Sequence, residues 1–201
     1  MDLAFLKIYL YVIIILSATF HEYAHSFMAY RLGDTTAKDE GRMSLNPMRH
    51  LDFIGTVIIP LFLLFTSGFF VGWAKPVPYN PLNLRDRKYG DLKVGIAGPL
   101  ANLLIALILG LILRFVLTGG LNLALAMIVY INISLALFNL IPIPPLDGSK
   151  IVMNLFPLRR YAMLEMSFFG ILLALFLAQF ILPPLAKLIF WLLTGQTSPF
   201  A

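Results

Sequence analysis

His21-Glu22-Tyr23-Ala24-His25 sets two imidazoles four residues apart, with a carboxylate beside the first. On a helix, residues four apart lie on one face. His21 and His25 can therefore hold one zinc ion together, and Glu22 lies within reach of a water on that ion. The chemistry this points to is hydrolysis of a peptide bond. Zinc lowers the pKa of its water to about 7 and polarises a carbonyl. Glu22 would take the proton and pass it to the leaving amine.

A catalytic zinc uses three protein ligands and keeps one position open. His50 is the remaining histidine, and Asp147 is the stronger candidate. Asp147 closes the run Asn139-Leu-Ile-Pro-Ile-Pro-Pro-Leu-Asp147-Gly148 and is the first charge after an uncharged stretch from Phe115 to Leu146. Pro142, Pro144 and Pro145 cannot sustain a regular helix. Irregular backbone at membrane depth survives only when buried in protein or lining a watery cavity. A carboxylate beside such a cavity is well placed to complete a zinc site. The alternative for Asp147 is a helix N-cap preceding Ser149.

The elements that must position these groups are membrane segments. Of 201 residues (22.5 kDa), 60% are hydrophobic and 12% charged, and the mean hydropathy is +0.87. A soluble domain of this size has no core large enough for that apolar content. An all-α, polytopic membrane bundle is expected, with about five to six membrane-embedded segments. These are Leu3 to Tyr30, Phe53 to Ala74, Val94 to Leu113, Leu121 to Ile141 and Met166 to Ala186, the last interrupted by Pro183-Pro184. Leu185 to Leu193 is too short to span alone and either continues its predecessor after a kink or lies at the interface. The first segment lacks the cleavage site of a signal peptide and carries HEYAH at its far end. One membrane-embedded domain over residues 1–201 is the economical reading. The absence of cysteine removes disulfides, thiolate ligands and cysteine nucleophiles. The net charge of +5 fits cytoplasmic loops rich in Lys and Arg. No basic run is interleaved with stacking aromatics, so nucleic acid is not an expected partner.

HEYAH in an apolar helix, followed by NLIPIPPLDG, resembles the site-2 protease family of intramembrane zinc metalloproteases, whose pattern is HExxH plus NxxPxPxLDG. Gly98-Pro99-Leu100-Ala101-Asn102 and the run Asn46 to Gly55 also look like family features. The resemblance runs from about Phe20 to Lys150. It implies one zinc per chain, held by His21, His25 and Asp147, with Glu22 as general base. It also implies that Asn139 lies near the scissile peptide and helps to stabilise the oxyanion, although an Asn in a membrane helix can equally bond a neighbouring helix. Gly98 and Asn102 can likewise be read as a helix-packing pair. Many relatives have a helix before the HExxH helix or carry a PDZ domain; neither is apparent here, which suggests a compact subgroup. The implied activity is cleavage of another protein's transmembrane segment, in a bacterial or archaeal cell membrane. The rival class is a metal carrier or an inactive binding relative.

Joining His21 and His25 to Asp147 requires loops 31–52 and 147–160 to share one side. Arg31, Lys38, Arg42, Arg49, Lys150, Arg159 and Arg160 make that side cytoplasmic. Loop 75–93 is basic too, so segment 53–74 would begin and end on the same side. It is then a re-entrant hairpin bent near Pro60, or one basic loop breaks the rule.

Overall fold

The computed structural model describes residues 3–60, 62, 75–116, 122–155, 168–197 and 199. Among them there are helices and loops and no strand. Five helices carry the architecture: α1 (Leu3–Arg31), α2 (Gly90–Phe115), α3 (Asn122–Asn139), α4 (Gly148–Leu155) and α5 (Phe168–Thr194). All but α4 are long and apolar enough to cross a membrane. Pro183 and Pro184 do not interrupt the last one. α5 runs through both, and the stretch to Leu193 continues it as one helix. Membrane helices tolerate such prolines because neighbouring groups and small local adjustments satisfy the carbonyls they release.

α2 packs against each of the other four. Its buried stripe is Val94, Gly98, Asn102, Ala106, Gly110 and Leu113, a spacing of three to four residues. Lipid tails are as apolar as leucine, so burial alone does not drive helices together in a membrane. Small side chains that let backbones approach do so, and Gly98, Ala106 and Gly110 supply them in this stripe. A cluster of Ala106, Leu113, Ala126, Val129, Ile133, Ala186 and Phe190 joins α2, α3 and α5. A second cluster of Ile13, Met127 and Ile131 joins α1 to α3. Leu100, Leu104, Ile108, Leu111 and Phe115 on α2, and Leu173, Phe176, Phe180 and Leu188 on α5, face outward as a lipid-contacting surface.

Ala29, Leu84 and Val94 bring the end of α1, the 75–89 loop and the start of α2 together. The loop is pinned by Asp34, which is buried. Its Oδ1 accepts from Thr36 Oγ1 at 2.6 Å and Asn83 Nδ2 at 2.9 Å, and its Oδ2 from Asn80 N at 2.9 Å. Burial alone would raise this carboxyl, but the hydrogen bonds outweigh it and hold the group below its ordinary value of 3.8. A depressed carboxylate stabilises the fold above its unfolded pKa, and that contribution fades as pH falls through the folded value. The Asn80 and Asn83 amide resonances should therefore stay unchanged from pH 7 to 5 and shift only below about pH 4. A shift centred near pH 5 would overturn this assignment.

The ends of the segment beyond His50 lie side by side. Lys75 N donates to His50 O at 2.9 Å, and Arg42 Nη2 donates to Lys75 O at 2.7 Å. A re-entrant hairpin requires such adjacency. The path of segment 53–74 beyond Phe62, with Trp73, lies outside the described residues, as do Gly119-Gly120, Arg159, Arg160 and Glu165.

Candidate metal centre

His21 and His25 sit in the C-terminal half of α1, one turn apart on its inward face, and are 6% and 7% exposed. At 1.5 Å per residue, His21 is about 15 Å from the Arg31 end of the helix. Asp147 arrives from the irregular chain after α3, where Ile143 N bonds Ile141 O and Leu146 N bonds Ile143 O. Gly148 lets this chain fold back. A Cβ there would lie 2.3 Å from the Leu140 carbonyl oxygen. The Asp147 side chain is not used as an N-cap. Its Oδ2 lies 3.0 Å from His21 Nε2 and 3.1 Å from His25 Nε2, while the two Nε2 atoms are 2.9 Å apart. Oδ1 turns outward and accepts from Lys150 Nζ at 3.4 Å.

The outer partners of the imidazoles decide what this triangle can hold. His25 Nδ1 lies 2.7 Å from Val94 O, and a carbonyl can only accept, so Nδ1 carries the hydrogen. His21 Nδ1 lies 2.7 Å from Asn102 Oδ1, whose amide nitrogen is turned to Ser17 O at 3.3 Å. Here too Nδ1 is the donor. In the neutral imidazoles both Nε2 atoms then carry lone pairs, and these face each other and a carboxylate oxygen. Three acceptors converging without a donor are reconciled by a cation. Tetrahedral zinc spaces such ligand atoms by about 3.3 Å, close to the observed separations. Gly98 leaves the space beside them: a Cβ on it would fall 2.3 Å from His25 Nε2. The donor set of two imidazoles and a carboxylate suits zinc and leaves a fourth position open. No other group of three or more His, Asp or Glu side chains among the described residues is close enough to hold a metal.

Glu22 is half-buried beside this cluster, and its Oε2 accepts from Val77 N at 2.9 Å. Val77 belongs to the irregular segment Lys75 to Asn80, which is tied to α1 through Glu22. Asn139 is not hydrogen-bonded to the cluster; its Nδ2 donates to Leu135 O, one turn back in α3, at 3.0 Å. His50 is buried elsewhere, with its Nε2 bonded to Ser44 O at 2.7 Å. Sequence reasoning missed Ser17, Lys150 and Asn132. Asn132 could have been found as an amide in the middle of an uncharged membrane helix.

A bundle of membrane helices enclosing a two-histidine, one-carboxylate centre with a neighbouring glutamate has the layout of a membrane metallohydrolase. Residues 116–182 match the model of Peptidase family M50. The chain is 37% identical over 194 residues to "Putative zinc metalloprotease YwhC" of Bacillus subtilis (strain 168), an alignment covering 91% of this chain and 84% of that one. It is 30% identical over 142 residues to a protein of Mycolicibacterium smegmatis named in the same way, Rip2, covering 67% of this chain and 52% of that one. Rip2 of Mycobacterium tuberculosis (strain ATCC 25618 / H37Rv) is 26% identical over 184 residues, with 89% and 70% covered. No solved structure matches significantly. The chain belongs to peptidase family M50, the site-2 protease family. It is a multi-pass membrane zinc metalloprotease of that family.

Proposed function

We propose that the chain, acting as one domain, hydrolyses peptide bonds within or next to transmembrane segments of other membrane proteins, in regulated intramembrane proteolysis. The observation that carries the reading is the convergence of His21 Nε2, His25 Nε2 and Asp147 Oδ2 inside a membrane helix bundle, with Glu22 one residue from the first ligand. Zinc held by these three atoms would supply a Lewis acid to acidify water and polarise the scissile carbonyl. Glu22 acts as general base. The Val77 N–H fixes one of its carboxylate oxygens and leaves the other to take the proton of the attacking water and deliver it to the leaving amine. Lys150 holds the outer oxygen of Asp147. Asn139, with one amide hydrogen engaged in its own helix, offers the other to the developing oxyanion. The exposed charges Arg31, Lys38, Arg49, Arg85, Arg87, Lys88 and Lys93 around this end of the bundle support a centre nearer the cytoplasm.

A substrate helix buries its carbonyls in its own hydrogen bonds, so it must unwind before it is cut. In vesicles holding the purified protease, a membrane-spanning reporter softened by Gly or Pro near its cytoplasmic end should be cleaved at least about 10-fold faster than a poly-Leu version, in proportion to the local unwinding free energy. Equal rates, or no zinc-dependent cleavage of either, would overturn the proposal.

A further inference from the structure

Asn132 lies in the middle of α3 and is 1% exposed. An amide there is costly unless every polar atom finds a partner. Its Nδ2 donates to Ile128 O at 2.9 Å and to Ser17 Oγ at 3.0 Å. Its Oδ1 accepts from Asn102 Nδ2 at 2.8 Å. Asn102 is itself fully buried. Its Oδ1 meets His21 Nδ1 at 2.7 Å, and its Nδ2 also reaches Ser17 O at 3.3 Å. The direction of this chain of hydrogen bonds is fixed at its ends. The Ile128 and Ser17 carbonyls can only accept, so both amide nitrogens must face them. Both amide oxygens then face the next donor, ending at His21 Nδ1–H. If the Asn102 amide turned over, two N–H groups would oppose each other at His21 and two oxygens at Asn132.

We propose that Asn132 is a positioning residue for the metal centre. Through Asn102 it holds His21 in the tautomer whose Nε2 lone pair faces His25 and Asp147, and it links α3 to a ligand on α1 that it does not touch. This rests on the zinc reading of the site. Groups that orient a ligating histidine from behind typically contribute 10–100-fold to metal affinity.

The test is a double-mutant cycle on zinc affinity of the full chain in detergent, measured by competition with a chelator, with the cobalt(II) spectrum as a second readout. Asn102→Leu should weaken binding about 10–100-fold and Asn132→Leu about 10-fold. Leucine at both positions should bind no more weakly than Asn102→Leu alone. If Asn132→Leu does not fold, Asn132→Ala carries the same comparison. Multiplying losses, or wild-type affinity in Asn132→Leu or Asn132→Ala, would overturn the inference while leaving the zinc site standing. A wild type that binds no zinc would instead overturn the underlying reading.

Discussion

Gly98→Ala should abolish zinc binding, although it adds one methyl group and raises helix propensity. Alanine is favoured over glycine in a helix by about 1 kcal/mol, so the helix itself has no reason to suffer. The new Cβ, however, would fall 2.3 Å from His25 Nε2 and 2.6 Å from both Nε2 and Cε1 of His21. Those nitrogens are the proposed ligand atoms, and both rings are held from behind by Val94 O and Asn102. Neither ring can retreat without giving up its partner. A loss of at least about 100-fold in zinc affinity is expected, beyond the effect of losing one outer partner, and cleavage should fall with it. Gly110→Ala is the comparison. It lies on the same stripe of the same helix, its Cβ would meet Leu193 Cβ at 3.1 Å, and it should keep its zinc. Equal zinc content in the two variants would show that Gly98 serves helix packing alone.

Glu22→Gln should separate the chemistry from the metal. Glutamine keeps an oxygen to accept the Val77 N–H, so the contact between α1 and the 75–80 segment survives. It cannot take a proton at neutral pH. Cleavage of a membrane-spanning reporter should fall by about 10²–10⁴-fold, the usual worth of a positioned acid–base group. Zinc content should stay near one per chain. Asp147→Ala should do the reverse at the first step, losing metal because Oδ2 is the atom both Nε2 groups face. A metal carrier would respond differently, since transport has no need of a proton acceptor at Glu22. Cleavage by Glu22→Gln within about 10-fold of wild type would remove Glu22 from the mechanism.

Much of this was legible in the sequence because membranes make polarity expensive. His21, Glu22 and His25 stand out in an apolar helix, and Asp147 stands out as the first charge after an uncharged run of more than a full span. The four long helices could be read from composition and length. The proline-rich junction correctly marked where α3 ends, yet the same rule misread Pro183-Pro184, which α5 passes through because neighbouring groups in a bundle relieve what proline breaks locally. Asn102 looked like half of a packing pair with Gly98. In three dimensions both address the histidines, Gly98 by its missing side chain and Asn102 by its oxygen. Asn132 shows in the sequence only as an amide in an apolar helix; its meaning lies in where Asn102 and Ser17 point, and no spacing within α3 encodes that. The partnership of Glu22 with Val77 joins residues far apart in the chain through a backbone amide, a group that sequence reading does not distinguish from any other.

The backbone from Lys75 to Asn80 carries a consequence for how foreign chains are met beside Glu22. Lys75 N–H is committed to His50 O, Val77 N–H to Glu22 and Asn80 N–H to Asp34, while Pro76 and Pro78 have none. Pairing in a sheet needs alternating donors and acceptors along an edge. Five of these six residues cannot donate to a newcomer. The stretch of backbone bonded to Glu22 is thus shielded against casual zippering with any unwound peptide that drifts in, and it stays a scaffold for Glu22 instead of becoming a template for aggregation.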